Sequence, residues 1–88
     1  MELRVEYLEP YYDSVLMLGD SPEMLEALDA LIAAATLRPR ASPSIEETRM
    51  RVFRVDPGPG LIPLRLFYWL EDDTVWIMHV EPDDDWDS

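Results

Sequence analysis

Charged and apolar residues alternate over Glu2–Tyr7, which puts Leu3, Val5 and Tyr7 on one face of a half-buried strand. Helical spacing follows: Pro10 suits a first turn, Tyr12, Val15 and Leu16 repeat at helical intervals to Leu18, and Gly19 supplies a stop. A second helix is predicted from Pro22. Asp20 or Ser21 caps it, Asp20 with Glu23 has capping-box spacing, and Met24, Leu25, Leu28, Leu31, Ile32 and Ala35 form the apolar stripe of a helix lying on a sheet. So short a link between the two predicts an antiparallel helical hairpin. The pattern then breaks over Thr36–Glu47, a loop with a short helical turn at Ser44–Glu47, and strand character returns at Arg49–Val55. Residues 56–60 carry two prolines that cannot donate to a sheet ladder, so they form a turn outside it.

Two apolar runs, Leu64–Leu70 and Val75–Val80, flank the acidic link Glu71–Thr74 and read as a β-hairpin with Asp72 and Asp73 at its tip. That register pairs Leu70 with Val75, Tyr68 with Ile77 and Leu66 with His79 on one face. Trp69 with Trp76, Phe67 with Met78 and Arg65 with Val80 share the other. Both faces are apolar, whereas a sheet with one solvated face would alternate with polar residues. Each face therefore requires a cover, and the helices supply only one. The fold class predicted is α+β: an N-terminal strand, a two-helix hairpin on one face, and a small antiparallel sheet ending in a three-strand meander. Residues 1–80 form one domain and 81–88 an acidic tail, with Pro82 ending the last strand.

Charge changes the picture next. Nineteen carboxylates face seven arginines and no lysine, a formal charge of −12. Nucleic-acid affinity comes largely from cations displacing counterions around phosphate, so direct binding of free nucleic acid is not expected. The bland reading of the excess is a solubilising surface; the sharper one is a surface that meets a basic partner. The chain has no cysteine and no run approaching the ~20 apolar residues of a membrane span, so a soluble, cytoplasmic protein without disulfides is expected.

Met50–Val55, Leu64–Tyr68 and Glu71–Val75 carry the wording of a strand, an R-x-x-Y strand, and an acidic turn before a valine-rich strand. With the helix ending at Leu37 before Arg38-Pro39, and the order strand, helix, helix, loop and three strands, the chain resembles the RelE/ParE superfamily of toxin-antitoxin toxins over nearly its whole length. The resemblance implies one of two activities: messenger-RNA cleavage in the ribosomal A site by basic residues on the open face of the sheet, or poisoning of gyrase by members lacking that set. It also implies a cognate antitoxin. Arg65 matches the family's arginine on the strand that ends in Tyr. The match fails after the last strand, where ribonucleolytic members are basic and this chain has Glu81 and Asp83–Asp85.

Cleavage of RNA needs a base, an acid and cations to steady the phosphorane. The best available set is His79 or Glu81 as base, with Arg65 and either Arg51 or Arg54 as charge stabilisers. Arg51 and Arg54 point to opposite faces, and the register turns His79 toward the helices, where a lone histidine reads as core. The aspartates of the tail read as a solvated charge run; no metal site and no cofactor are expected, and the serines have no histidine at useful spacing. The stronger feature is the open face. Phe67, Trp69, Trp76 and Met78 form an aromatic and thioether patch beside Arg65, with Trp86 either folding back onto it or inserting into a partner. The expected function is thus a toxin-antitoxin-type protein without the catalytic surface that binds protein through this patch, rimmed by Arg51 and Arg65. The partner expected is an antitoxin, a gyrase-like target or the ribosome, or a second copy in a homodimer. Two alternatives stand beside it: a ribosome-dependent endonuclease, and an acidic immunity-type inhibitor covering a basic nuclease site.

Overall fold

The computed structural model describes residues 3–19, 21–45, 48–56 and 62–84. The elements follow in the order β1 (Arg4–Tyr7), α1 (Glu9–Leu18), α2 (Pro22–Leu37), β2 (Arg51–Val55), β3 (Leu64–Glu71) and β4 (Thr74–Pro82). The strands make one sheet, ordered β1-β4-β3-β2 in space. It is a small α+β domain, and β2, β3 and β4 form the expected antiparallel meander. The sheet is mixed rather than wholly antiparallel, because β1 lies parallel to β4, with Val5 opposite Val75. A parallel neighbour requires a crossover connection, and the two helices belong to the long one between β1 and β4.

Local chemistry places the helices. Ser21 caps α2: its Oγ accepts from the Met24 N–H at 3.2 Å, and Pro22 follows in the first turn. Asp20 and residues 46–47 and 57–61 lie outside the described residues, so the capping box and the Gly-Pro-Gly turn do too. Gly19 takes φ 94°, which suits glycine, and its N–H closes the last turn of α1 onto Val15 and Leu16. Met24, Leu28, Leu31, Ile32 and Ala35 of α2 are buried as the stripe predicted, while Leu25 is exposed. The inward face of α1 is displaced by one residue from expectation. Tyr11, Ser14, Val15 and Leu18 face the core, and Tyr12 and Leu16 face solvent.

These helices cover the sheet face made by Leu64, Leu66, Tyr68, Val75, Ile77 and Val80, all buried. Tyr68 is wholly buried, and its hydroxyl donates to the Pro39 carbonyl at 2.6 Å, which anchors the loop after α2. Of the helical turn expected at Ser44–Glu47, Glu46 and Glu47 lie outside the described residues, and the Thr48 N–H bonds to the Ile45 carbonyl at 3.1 Å. Ser44 bridges to Arg51, and the Val52 N–H bonds to the Pro43 carbonyl, so part of the edge of β2 is covered. At the other side of the sheet β1 ends at Tyr7, and beyond Ile77 the outer side of β4 has no strand among the described residues. Ser14 fills this gap: its buried Oγ accepts the Val80 N–H at 3.2 Å and donates to the Tyr11 carbonyl at 2.7 Å.

Tyr11 packs against Tyr7 and Tyr12, with ring centroids 5.2 and 5.7 Å away. Burial, together with Tyr7 and Asp29, pushes the Tyr11 hydroxyl from its ordinary 10.0 up to about 12. The folded protein therefore holds this proton longer than the unfolded chain. Stability is full below pH ~10 and falls as pH rises from ~10 toward ~12, by at most about 2 kcal/mol. Urea midpoints measured across that window should fall in the native protein and fall less in Tyr11→Phe; equal slopes would refute the assignment. The chain has no lysine to titrate in the same window.

Candidate functional site

The uncovered face of the sheet is built by the β3–β4 hairpin. Its tip is as predicted, with Asp72 in the left-handed region at φ 55°, a conformation aspartate tolerates. From the tip the pairs Leu70–Val75, Trp69–Trp76 and Tyr68–Ile77 follow the predicted register. A β-bulge then intervenes. Phe67 faces His79, Leu66 faces Val80 and Arg65 faces Glu81, and Met78 is the extra residue.

The bulge corrects two expectations. His79 does not enter the core opposite Leu66; it lies on the open face with its ring 5.9 Å from Phe67. Val80 takes the core position and is 1% exposed. The physical reason is burial: regular alternation would sink an imidazole among the helices and set Val80 beside Arg65, whereas one extra residue buries the aliphatic side chain and pairs Arg65 with a carboxylate.

Phe67, Trp69 and Trp76 share this face as expected, each half-buried, with Met78 beside them at the bulge. The two indoles stack, with centroids 6.3 Å apart and planes at 22°. Arg49, which the sequence did not single out, lies 5.9 Å from the Trp69 ring and pairs with Glu71 at 3.2 Å. The buried indole N–H of Trp69 has no acceptor among the described residues. Trp86 and Asp85 lie outside them.

At the far end of the hairpin the charged residues converge. Arg65 Nη2 meets Glu81 Oε2 at 3.1 Å, and His79 Nε2 lies 3.8 Å from Glu81 Oε1. Arg54 grips Asp83 through Nε at 2.5 Å and Nη2 at 3.1 Å, and Arg65 Nη1 stands 3.7 Å from the same carboxylate. The Asp83 side chain is 0% exposed. The tail is therefore not a solvated run at its start: β4 extends through Pro82, and the Asp83 N–H bonds to the Pro63 carbonyl at 2.9 Å.

Arg51 is absent from this group. Paired with buried Tyr68, it points to the helix side, where its Nη1 donates to the carbonyls of Ser42 and Arg40 at 2.7 and 3.1 Å. The arginine at the rim of the open face is Arg54, opposite Arg65. Parity within β2 signals this, since Phe53 and Val55 both pack against the core and Arg51 shares their side of the strand. Asp83 carried no comparable signal, because nothing in an Asp-rich run distinguishes the one carboxylate that two guanidinium groups enclose.

Chemically, Arg65, His79 and Glu81 are together on one face, and Arg54 and Asp83 complete a network. Two guanidinium groups and two carboxylates in it cancel. A phosphorane would have to displace Glu81 and Asp83 from the arginines before either cation served it, which removes the advantage of preorganised charge. Among the described residues no group of His, Asp and Glu is arranged to hold a metal ion, and no helix is long and apolar enough to cross a membrane. No protein-family model matches the chain, and no curated protein matches it.

Proposed function

We propose that this protein is a RelE/ParE-like scaffold whose basic catalytic surface has been replaced, and that it acts by binding another protein through the Phe67, Trp69 and Trp76 face. The order of elements supports the scaffold, since it is the order that the resemblance implies. The observation that carries the function is the closed charge network. Arg54 and Arg65, the cations of the open face nearest to His79, are engaged by Asp83 and Glu81, while the stacked indoles and Phe67 remain half-accessible. Half-buried aromatics flanked by arginine are the usual anchors of protein interfaces. The candidate partners are an antitoxin, a gyrase-like target or the ribosome.

The bulge favours one competing reading by placing His79, Arg65 and Glu81 on the same face, the set a ribosome-dependent endonuclease would use. The two separate in a cell-free translation extract titrated with purified protein, with message integrity followed in the same tubes. The binding reading expects intact message, and expects a specific complex recovered from cell extract to be lost in Trp69→Ala and Trp76→Ala but kept in His79→Ala. Cleavage inside codons that Arg65→Ala abolishes would overturn it.

A further inference from the structure

The helical layer, on the opposite side from the aromatic face, carries a second surface. Residues 5–37 contain no lysine or arginine, and α1 and α2 present Glu9, Asp13, Glu23, Glu26 and Asp29. None of these five makes an ion pair with a described residue. An acidic helix face alone is ordinary. Here Glu9 and Asp13 flank, on the same helix, apolar side chains that are left exposed: Tyr12 and Leu16, one turn apart on α1, are 55% and 72% exposed, and neighbouring Met17 is 88% exposed.

We infer that this face of α1 is a docking site for a cationic amphipathic helix. Tyr12 and Leu16 have the i, i+4 spacing that packs into the groove of another helix, and Met17 extends that apolar strip along the outward side of α1, with Glu9 and Asp13 beside it. Charge selects the occupant. A second copy of this chain would bring Glu9 and Asp13 against their own equivalents across a two-fold axis, with no cation in either helix to offset them. A helix with lysine or arginine on its polar face would meet them with opposite sign.

The test uses the full chain and a fluorescently labelled synthetic helix of leucine and lysine with its apolar residues on one face. Saturable binding is expected, weakening as salt is raised. Leu16→Ser and Met17→Ser should each weaken it roughly tenfold, the loss of one apolar anchor. Both side chains are too exposed for the substitutions to threaten folding, which circular dichroism checks. Asp13→Asn should reduce the salt dependence, while Trp69→Ala should change nothing, so this surface stands or falls separately from the sheet face. Absence of binding would overturn the inference. So would equal binding of a scrambled lysine peptide with no apolar face, binding indifferent to Leu16 and Met17, or sedimentation showing a dimer that Leu16→Ser dissolves.

Discussion

Replacing Asp83 with alanine should cost about 2–3 kcal/mol of folding stability, a large effect for a residue in a sequence stretch that reads as solvated tail. The Asp83 carboxylate has no exposure to water, and it accepts two hydrogen bonds from Arg54 with Arg65 close by. Its removal leaves the two guanidinium groups facing each other across the β2–β3 pair, where Arg54 and Arg65 are directly opposite. The loss stays below the ~3–5 kcal/mol of a wholly buried broken pair, because Arg54 is 46% exposed and rehydrates and Arg65 keeps Glu81. Urea unfolding of Asp83→Ala, Arg54→Ala and the double variant measures the coupling directly. A coupling energy below ~0.5 kcal/mol would place the pair among ordinary surface ion pairs and undo the argument that it is closed to phosphate. The same variant also unmasks the rim arginines. Where charge neutralisation is what silences the face, Asp83→Ala combined with Glu81→Gln should bind RNA more tightly than the native chain.

Much of this fold is legible from periodicity. The stripe of α2, the cap before Pro22 and the acidic hairpin tip are each dictated by a few neighbouring residues, and each stands where local chemistry puts it. Failures arise where the deciding partner is distant in the chain. The inward face of α1 is set by Ser14, a polar residue that burial statistics exclude, because its hydroxyl answers a backbone N–H sixty-six residues later. Leu16, by contrast, looks like core and is not, since no described residue covers it. Half of the open face was readable: Phe67, Trp69, Trp76 and Arg65 follow from strict alternation, whereas alternation alone only sets Arg51 and Arg54 on opposite faces, and it takes Phe53 and Val55 to fix which one reaches the rim. Position 79 was unreadable by that rule, because a bulge breaks the rule itself. Its trace is in the residues that alternation mismatches: a histidine opposite Leu66 and a valine opposite Arg65, both relieved by advancing one residue.

Deletion of Met78 follows from the same register and should leave the protein folded, with stability changed by no more than about 1 kcal/mol, while deletion of Phe67 on the facing strand should abolish folding. The pairs Tyr68–Ile77, Phe67–His79, Leu66–Val80 and Arg65–Glu81 are consecutive on β3 and interrupted only by Met78 on β4. Without Met78 the two strands match residue for residue, Val75, Ile77 and Val80 keep their core side, and His79 keeps its place against Phe67. Removing Phe67 does the opposite. It flips every residue of β3 on one side of the gap, driving either Leu64 and Leu66 or Tyr68 out of a core in which each is 0% exposed. Each buried aliphatic side chain turned into water forfeits ~1.5–3 kcal/mol, so exposing Leu64 and Leu66 together costs roughly 3–6 kcal/mol, comparable with the ~5 kcal/mol at the low end of domain stability. Thermal unfolding followed by circular dichroism distinguishes the outcomes. A Met78 deletion that fails to fold would mean that the bulge is structurally required, for example to aim the Val80 N–H at Ser14, rather than an insertion the sheet tolerates. A folded deletion variant makes a further test possible, because it removes the thioether from the open face without disturbing the stacked pair Trp69 and Trp76, and so separates their contributions to partner binding.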